Sequence, residues 1–442
     1  MKKYFIITFG CQMNKSDSER IATFLEKMDY KETSRINEAD LVLINMCSVR
    51  QTAVDRIYGL FHKFKEIKKK KPHFKAVLTG CVLKKDFKKF SKFFDFILPI
   101  KTLEFWPEIL KEKNYLLSIN QRNLNFTKKL AVDYLKVSPK YSKDFSVFIP
   151  ISTGCNNFCT YCVVPYTRGP LICRPHKEIL KEVESSVKKG TKEVWLLGQN
   201  VNDYQSPTDP SIDFSKLLEM TNNIEGDFWL SFLSSNPKDF SDNLIEVMAK
   251  CKKINKYLSL PIQSGDDEVL KKMNRQYSVR EYKDLVKKIR QKIPDIFLST
   301  DVIVGFPGET KEQFQNTLLL LKKLKFDMAY IAEYSIRPET KSYKMKDDVP
   351  EKEKVRRREI LTEVLIKGIL ENSKRYIGKE IEVLISEQQT KSNKYFYIGK
   401  SRNYKTVKFQ VSSFKHQNLL GKIVKVKIVD AQPWGLKGEL KP

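Results

Sequence analysis

The chain has 442 residues, enough for two or three domains with cores of their own. Hydrophobic residues make up 41% and charged residues 30%, a globular composition, and no apolar run approaches the roughly 18 residues that a membrane span needs. The net charge of +28, from 81 Lys+Arg against 53 Asp+Glu, favours a polyanionic partner, most simply nucleic acid, although lysine-rich codon usage supplies part of the excess.

The opening stretch Met1–Ile7 has too short an apolar run for a secretory leader. Phe9-Gly10-Cys11-Gln12 is no small-residue cleavage site either. It is expected to be the first strand of a cytoplasmic protein. Eight cysteines in such a chain argue against a disulfide scaffold. His62, His73, His176 and His416 show no zinc-ligand spacing, so histidine-based chemistry is not expected.

Residues 1–118 repeat one pattern three times: a short apolar strand, a cysteine, a helical stretch. Tyr4–Phe9 precedes Cys11, Leu41–Ile44 precedes Cys47, and Ala76–Leu78 precedes Cys81. The helix after Cys11 is expected to open at Ser16 with Glu19, a capping-box spacing, and carries Ile21, Phe24, Leu25 and Met28 on one face. Alternating strands and helices predict a parallel sheet, which places the cysteines at strand carboxyl ends, where such sheets bind ligands. A single free cysteine is usually plain core. Three at the same strand end, two of them in Gly-Cys pairs, point instead to a shared metal or cluster with one open position.

Residues 119–144 are polar, basic and without periodicity, and read as a linker. From about 145 to 372, six strand-like runs alternate with helical stretches: Phe148–Thr153, Glu193–Gly198, Phe228–Ser234, Tyr257–Ile262, Phe297–Gly305 and Met328–Ser335. Six βα units predict a parallel (βα)6 partial barrel with its chemistry at the strand carboxyl ends. There lie Gly198-Gln199-Asn200, Ser234-Ser235-Asn236, Gln263-Ser264-Gly265 and Gly305-Phe306-Pro307-Gly308-Glu309. Each alone reads as a turn; four at one rim suit a bound small molecule.

Residues 375–440 hold five short alternating runs, Glu380–Glu387, Tyr395–Ser401, Thr406–Ser412, Lys422–Gln432 and Gly435–Leu440, and predict a small antiparallel barrel. From 375 to 442 there are 14 Lys+Arg against 5 Asp+Glu. Tyr395, Phe396, Tyr397, Tyr404 and Phe409 interleave with Lys394, Lys400, Arg402, Lys405 and Lys408, a pattern in which bases stack on rings while cations hold phosphates. The basic run Lys68–Lys71 reads equally as a nucleic-acid contact or a solvated helix end.

"GCNNFCTYC" follows the first barrel strand and holds Cys155, Cys159 and Cys162. Zinc sites usually pair two ligand groups, and no fourth Cys or His lies at a convincing distance. A four-iron cluster held by three thiolates keeps one iron free for a substrate such as S-adenosylmethionine. This motif resembles that of the radical-SAM superfamily. Together with "FGCQMNKSDSERI", "ADLVLINMCSVR", "CVVPYTRG", "LPIQSGD", "MNRQYSVREY", "STDVIVGFPGET" and "YSIRPET", the chain resembles the radical-SAM methylthiotransferases over nearly its whole length. "GCQMN" and "CVVPYTRG" are most similar to the branch that acts on tRNA bearing isopentenyladenosine next to the anticodon.

The resemblance implies an α/β fold class in three parts: a methylthiotransferase N-terminal parallel-sheet domain (1–118), a radical-SAM core (145–372) and a TRAM-like RNA-binding barrel (375–440). It implies two [4Fe-4S] clusters, one on Cys155, Cys159 and Cys162 and an auxiliary one on Cys11, Cys47 and Cys81. S-adenosylmethionine would methylate a sulfur at the auxiliary site and also yield the radical that removes hydrogen from carbon 2 of the adenine. Tyr161, Gln199, Asn200, Gln263, Ser264, Asp301 and Glu309 are the candidates around S-adenosylmethionine. Arg168, Arg174 and Arg275 are candidates for its carboxylate or for tRNA phosphates. The implied partners are tRNA, an electron donor such as flavodoxin or ferredoxin, and a sulfur source, with no membrane.

The sequence departs from the family pattern at Pro170-Leu171-Ile172-Cys173, at Ser259 where His is usual, and at Glu339 where Gly is common. None is a cluster cysteine. Cys173 and Cys251 are expected to be packed side chains. Rival readings are a sister methylthiotransferase for threonylcarbamoyladenosine tRNA or a ribosomal-protein aspartate, a non-catalytic iron-sulfur RNA-binding protein, and zinc in the N-terminal site.

Overall fold

A computed structural model describes residues 1–48, 51–111, 134–391, 394–411 and 418–440. Most of the expected linker, 119–133, and His416 lie outside these residues.

The N-terminal sheet contains β1 (Lys2–Phe9), β2 (Tyr30–Glu32), β3 (Leu41–Cys47), β4 (Lys75–Cys81) and β5 (Phe96–Ile97), all parallel, in the order β2-β1-β3-β4-β5. The central strand β3 is buried along its whole length and apolar except for Asn45, because helices cover both faces. Its side chains alternate: Leu41 and Leu43 join a core with Trp106, and Val42, Ile44 and Met46 join another with Phe61 and Phe64.

The helix α1 (Gln12–Glu26) starts earlier than its sequence suggests. Cys11 is the N-cap, with its N–H donating to Asn14 Oδ1 at 3.2 Å. Ser16 and Glu19 sit buried inside the helix and cap nothing. Ser16 Oγ donates to Phe148 O at 2.9 Å, and Glu19 Oε1 accepts from Ser142 Oγ at 2.8 Å. The pair that looked like a helix start instead joins α1 to the next domain.

The second domain has two three-stranded parallel sheets. One is ordered β10-β9-β6, from β6 (Ser146–Pro150), β9 (Glu193–Leu197) and β10 (Trp229–Leu233). The other is β11 (Tyr257–Ser259), β12 (Phe297–Val304) and β13 (Met328–Glu333). An isolated parallel bridge, Leu230–Ile254, connects them. All six expected strands are present, and β6 and β13 are the outer ones. β11 ends early because Pro261 offers no N–H to a ladder; pairing resumes as a single bridge, Gln263–Val302. A two-residue hairpin, β7 (Ser152–Thr153) with β8 (Ile172–Cys173), brackets the cysteine loop. Cys173 and Cys251 pack against the barrel core.

The C-terminal barrel closes as β14 (Glu380–Lys391), β15 (Lys394–Ser401), β16 (Thr406–Val411), β18 (Gly435–Leu440) and β17 (Ile423–Gln432). It is antiparallel except between β16 and β18, which are parallel. An odd number of strands cannot alternate direction all the way round a closed ring, so one parallel pair is forced.

This barrel sits under the amino ends of the second domain's strands. Tyr404 lies 5.1 Å from the Trp195 ring and 4.6 Å from Tyr257, and buried Lys405 pairs with Asp327 at 3.4 Å. Arg402 donates to Lys252 O at 2.6 Å. Tyr397 and Phe409 stack inside the small core. The expected aromatic and basic interleaving is therefore mostly core and docking; Phe396, under Lys408 at 4.8 Å, keeps a half-buried ring. In the N-terminal run, Lys68, Lys69 and Lys71 pair with Asp95, Glu66 and Asp40, which favours the solvated-end reading.

Candidate active site

The chain leaves β6, kinks through β7 and enters the loop at Gly154. Gly154 has φ +81°, and a Cβ there would lie 1.9 Å from Pro170 O. Only glycine fits this approach. Its N–H donates to Gln199 Oε1 at 2.6 Å, so the rim of β9 holds the loop entrance. Thr160 Oγ1 donates to Lys272 O at 2.9 Å, and Asn274 Nδ2 to Asn157 O at 3.0 Å. Burial, with Cys159 and Cys155 nearby, pushes the Cys162 thiol up to about 12. Such a group becomes a thiolate only beside a cation or metal. Arg275 supplies one: Nη1 lies 3.5 Å from Cys159 Sγ, while Nη2 donates to Pro261 O at 3.2 Å.

The expected S-adenosylmethionine contacts lie along the carboxyl rim, in three different states. Gln199 is engaged with the loop. Asn200 Nδ2 donates to Asp239 Oδ2 at 2.9 Å, and its Oδ1 is buried without a partner among the described residues. Gln263 stands at φ +73° with its N–H on Asp301 O at 2.9 Å, and Ser264 Oγ is 3.4 Å from Thr317 Oγ1. Asp301 is half-buried on β12. Tyr161 packs with Val269, Met273, Phe306 and Tyr334 as an apolar wall. Glu309 accepts from Gly305 N at 2.5 Å and from Arg357 at 2.7 Å, which makes it a brace for the turn after β12. Ser152 Oγ and Ser235 Oγ join Asn200 Oδ1 as buried, unpartnered atoms among the described residues. Buried polar groups normally have partners, so this set fits a polar ligand.

The second set of cysteines belongs to the N-terminal sheet. Cys47 and Cys81 end β3 and β4 and are direct register partners. Cys11 follows β1 and is exposed. Asn14 Nδ2 donates to Asn45 Oδ1 at 2.8 Å and Asn45 Nδ2 to Asn14 O at 2.8 Å, which ties the first turn of α1 to β3. Among the described residues no three His, Cys, Asp or Glu side chains stand where one ion would be shared. A four-iron cluster is wider and takes one thiolate per iron, so both trios suit it better than a zinc ion.

The two trios are linked. The helix Val164–Thr167 follows Cys162 and ends at Arg168, whose Nε lies 3.3 Å from Cys81 Sγ and whose Nη2 pairs with Asp17 at 2.7 Å. Arg174 is buried between Pro150 O and Glu182, at 2.8 and 2.9 Å. These positions close Arg168 and Arg174 to tRNA phosphates. At Glu339 the backbone has φ +70°, which explains why glycine suits that position. Here the carboxylate instead accepts from Lys85 N at 3.0 Å, across the domain boundary. Sequence reasoning missed Ser152 and Ser235 as single residues, the Asn14–Asn45 clasp and the contacts of Arg168 and Arg275. The serines did fall within stretches marked as strand or rim.

Three family models match the chain: the radical SAM superfamily at residues 149–321, the uncharacterized protein family UPF0004 at 3–98, and the TRAM domain at 374–441. A tRNA-2-methylthio-N(6)-dimethylallyladenosine synthase of Clostridium botulinum (strain Hall) is 39% identical over 446 residues, 99% of this chain and 96% of the relative. One of Clostridium perfringens (strain SM101) is 38% identical over 450 residues, 99% of this chain and 98% of the relative. Among solved structures, the radical S-adenosylmethionine methyltransferase TsrM from Kitasatospora setae aligns at TM-score 0.53 and 13% identity, covering 77% of each chain. The cobalamin-dependent S-adenosylmethionine radical enzyme OxsB aligns at TM-score 0.53 and 11% identity, over 82% of this chain and 56% of that one. At such identities the two structures show a shared fold alone.

Proposed function

Because the chain belongs to the family of tRNA-2-methylthio-N(6)-dimethylallyladenosine synthases, we propose that it places a methylthio group on carbon 2 of dimethylallylated adenosine in tRNA. It is a radical-SAM tRNA methylthiotransferase. In this reading Cys155, Cys159 and Cys162 hold one [4Fe-4S] cluster, and Cys11, Cys47 and Cys81 hold a second. With one iron left free, such a cluster supplies a binding point for S-adenosylmethionine and the electron that breaks its sulfonium bond. An aromatic C–H has no acidity for an acid–base pair to exploit, so radical chemistry suits the reaction.

The chain's own residues supply position and dryness. Gly154 and Gln199 hold the loop entrance against β9. Asn200, Ser152 and Ser235 offer polar atoms to S-adenosylmethionine, with Asp301 on the opposite sheet and Gln263 and Ser264 in the loop after β11. Tyr161, Phe306 and Tyr334 keep water from that side. Arg275 balances negative charge at Cys159. Glu309 acts through the turn it braces. Division into 1–118, 145–372 and 375–440, a cytoplasmic location, an electron donor such as flavodoxin or ferredoxin, and a separate sulfur source complete the reading. No helix among the described residues is long and apolar enough to cross a membrane.

The observation that carries this reading is that Arg168, just after the Cys155/Cys159/Cys162 loop, reaches Cys81, which is paired in register with Cys47 at the carboxyl ends of β4 and β3. The test is anaerobic: reconstituted protein, S-adenosylmethionine, reductant and tRNA bearing dimethylallyladenosine, followed by nucleoside mass spectrometry. The methylthio nucleoside should appear and should be lost on Cys155→Ala or Cys11→Ala. Formation of 5′-deoxyadenosine without that nucleoside would move the substrate to a sister class. Neither product from protein with both clusters filled would favour a non-catalytic role.

A further inference from the structure

We propose that Arg168 is a positioning residue of the second cysteine site, donating hydrogen bonds from its guanidinium to the sulfur-ligated anion that Cys11, Cys47 and Cys81 hold. This rests on the two-cluster reading above. Four observations carry it. Arg168 Nε already lies 3.3 Å from Cys81 Sγ. Its Nη2 is anchored by Asp17 at 2.7 Å, and both side chains are sealed from solvent, at 4% and 0% exposure. Its third nitrogen, Nη1, is buried with no partner among the described residues. Cys11 and Cys81 both lie within its electrostatic reach.

A buried guanidinium with an idle N–H group is costly unless an acceptor arrives. Asp17 neutralises the charge but occupies one edge only. The idle edge belongs to a guanidinium that is buried beside the buried Cys81. An iron-sulfur cluster with three thiolates carries net negative charge, and hydrogen bonds to its sulfurs tune its potential. Removing a cationic donor makes reduction harder, so the potential moves in the negative direction. Arg168 is also attached, through Val164–Thr167, to the loop of the other trio. It belongs to the radical-SAM domain yet completes a site in the N-terminal domain, so the second site is whole only when the two are docked.

The experiment uses the full chain with both clusters reconstituted, comparing wild type, Arg168→Gln, Arg168→Lys and Asp17→Asn. Iron per chain is counted, and each cluster's midpoint potential is followed by electron paramagnetic resonance. Wild type should hold about eight irons. In Arg168→Gln the potential of the Cys11/Cys47/Cys81 cluster should fall, or that cluster alone should be lost, while the Cys155/Cys159/Cys162 cluster is unchanged. Arg168→Lys, which keeps the charge and packs more easily, should show a smaller shift of the same sign and decides the matter if the Gln variant does not fold. Asp17→Asn keeps an acceptor for Arg168 but removes a buried negative charge, so its shift should have the opposite, positive sign. If the spectrum and potential of the second cluster are the same in both Arg168 variants as in wild type, or if the potential moves in the same direction in Arg168→Gln as in Asp17→Asn, Arg168 is only a structural ion-pair partner and the inference is overturned. A wild-type chain that holds only about four irons overturns the two-cluster reading itself, and the inference with it.

Discussion

Arg20 of α1 and Glu182 of the helix His176–Lys188 meet at 2.8 Å across the boundary between the N-terminal sheet and the partial barrel. Arg174 reaches the other carboxylate oxygen at 2.9 Å, and Tyr141 donates to the first at 3.1 Å. Arg20 is fully buried, so this contact has little solvent screening. Together with Ser16 and Glu19 it holds α1 along the edge strand β6, where Met13 packs with Trp195 of the barrel interior.

Glu182→Gln should therefore loosen the docking of the two domains. Breaking a buried pair by removing one charge costs about 3–5 kcal/mol. The loss is pH-dependent in a defined direction. Burial works to raise the Glu182 carboxyl, but the Arg20 and Arg174 guanidiniums outweigh it and hold it below the ordinary carboxylate range. A depressed folded value means that the stabilisation is complete above the ordinary carboxylate pKa of about 4.3 and disappears as pH falls through the folded value. Thermal melts of wild type should fall steeply below about pH 4. The glutamine variant should melt lower at pH 7 and show a flatter acid limb. Parallel acid limbs in the two proteins would remove Glu182 as the titrating group.

Gly154→Ala tests the entrance of the radical-SAM loop. The added Cβ would collide with the backbone of Pro170, and φ +81° adds strain of about 1–2 kcal/mol. Neither partner is a flexible side-chain tip, so the loop must move. Iron should fall to roughly half of wild type, from about eight to about four, with the N-terminal trio still loaded and 5′-deoxyadenosine formation lost. Full iron and normal cleavage would show that the loop tolerates the shift.

Tyr404→Ala addresses the docking of the C-terminal barrel onto the radical-SAM strands. The substitution removes two ring–ring interactions, with Trp195 and Tyr257, each worth about 0.5–1.5 kcal/mol beyond burial. The Lys405–Asp327 pair and the helix Glu351–Lys374, with Leu365 and Ile369 buried against Ala329, remain. Faster proteolysis between residues 374 and 380, at unchanged iron content, is the expected result.

The placement of Cys47 and Cys81 at strand ends was legible because its message is local: an apolar run, a cysteine, a helix, repeated. Parallel topology then brings strand ends together, and Cys47 and Cys81 prove to be register partners. The arginines were not legible. Arg168, Arg174 and Arg275 look alike in sequence, yet one meets Cys81, one Glu182 and one Cys159. The first and last of these partners lie 87 and 116 residues away along the chain. Burial decides what a charge does, and burial is set by the packing of domains. The same holds for Ser16 and Glu19, whose spacing matched a helix start while their contacts lie more than 120 residues away. Tyr404 and Lys405 resembled an RNA-binding pair for the same reason.

On the C-terminal barrel, lysines open to a tRNA can be separated from docking lysines by their exposure. On β17, Val426 and Ile428 point into the small core while Lys425 and Lys427 between and beside them face solvent. Lys408 is exposed over Phe396. Lys405 is buried on Asp327 and Ser373, and Lys400 donates to Thr406 Oγ1 at 2.8 Å. Replacing Lys408, Lys425 and Lys427 together by Gln should weaken tRNA binding and leave the melting temperature nearly unchanged. Removing one lysine–phosphate pair lowers the slope of log affinity against log salt by about 0.7–0.9, so the triple variant should give up as much as about 2–3 of that slope. Lys405→Gln should do the reverse. It leaves the buried Asp327 without that cation and lowers the melting temperature, with the salt slope preserved in whatever protein stays folded. If the triple variant binds tRNA with the wild-type slope, these lysines are solvated surface and the phosphates lie on another face of the chain.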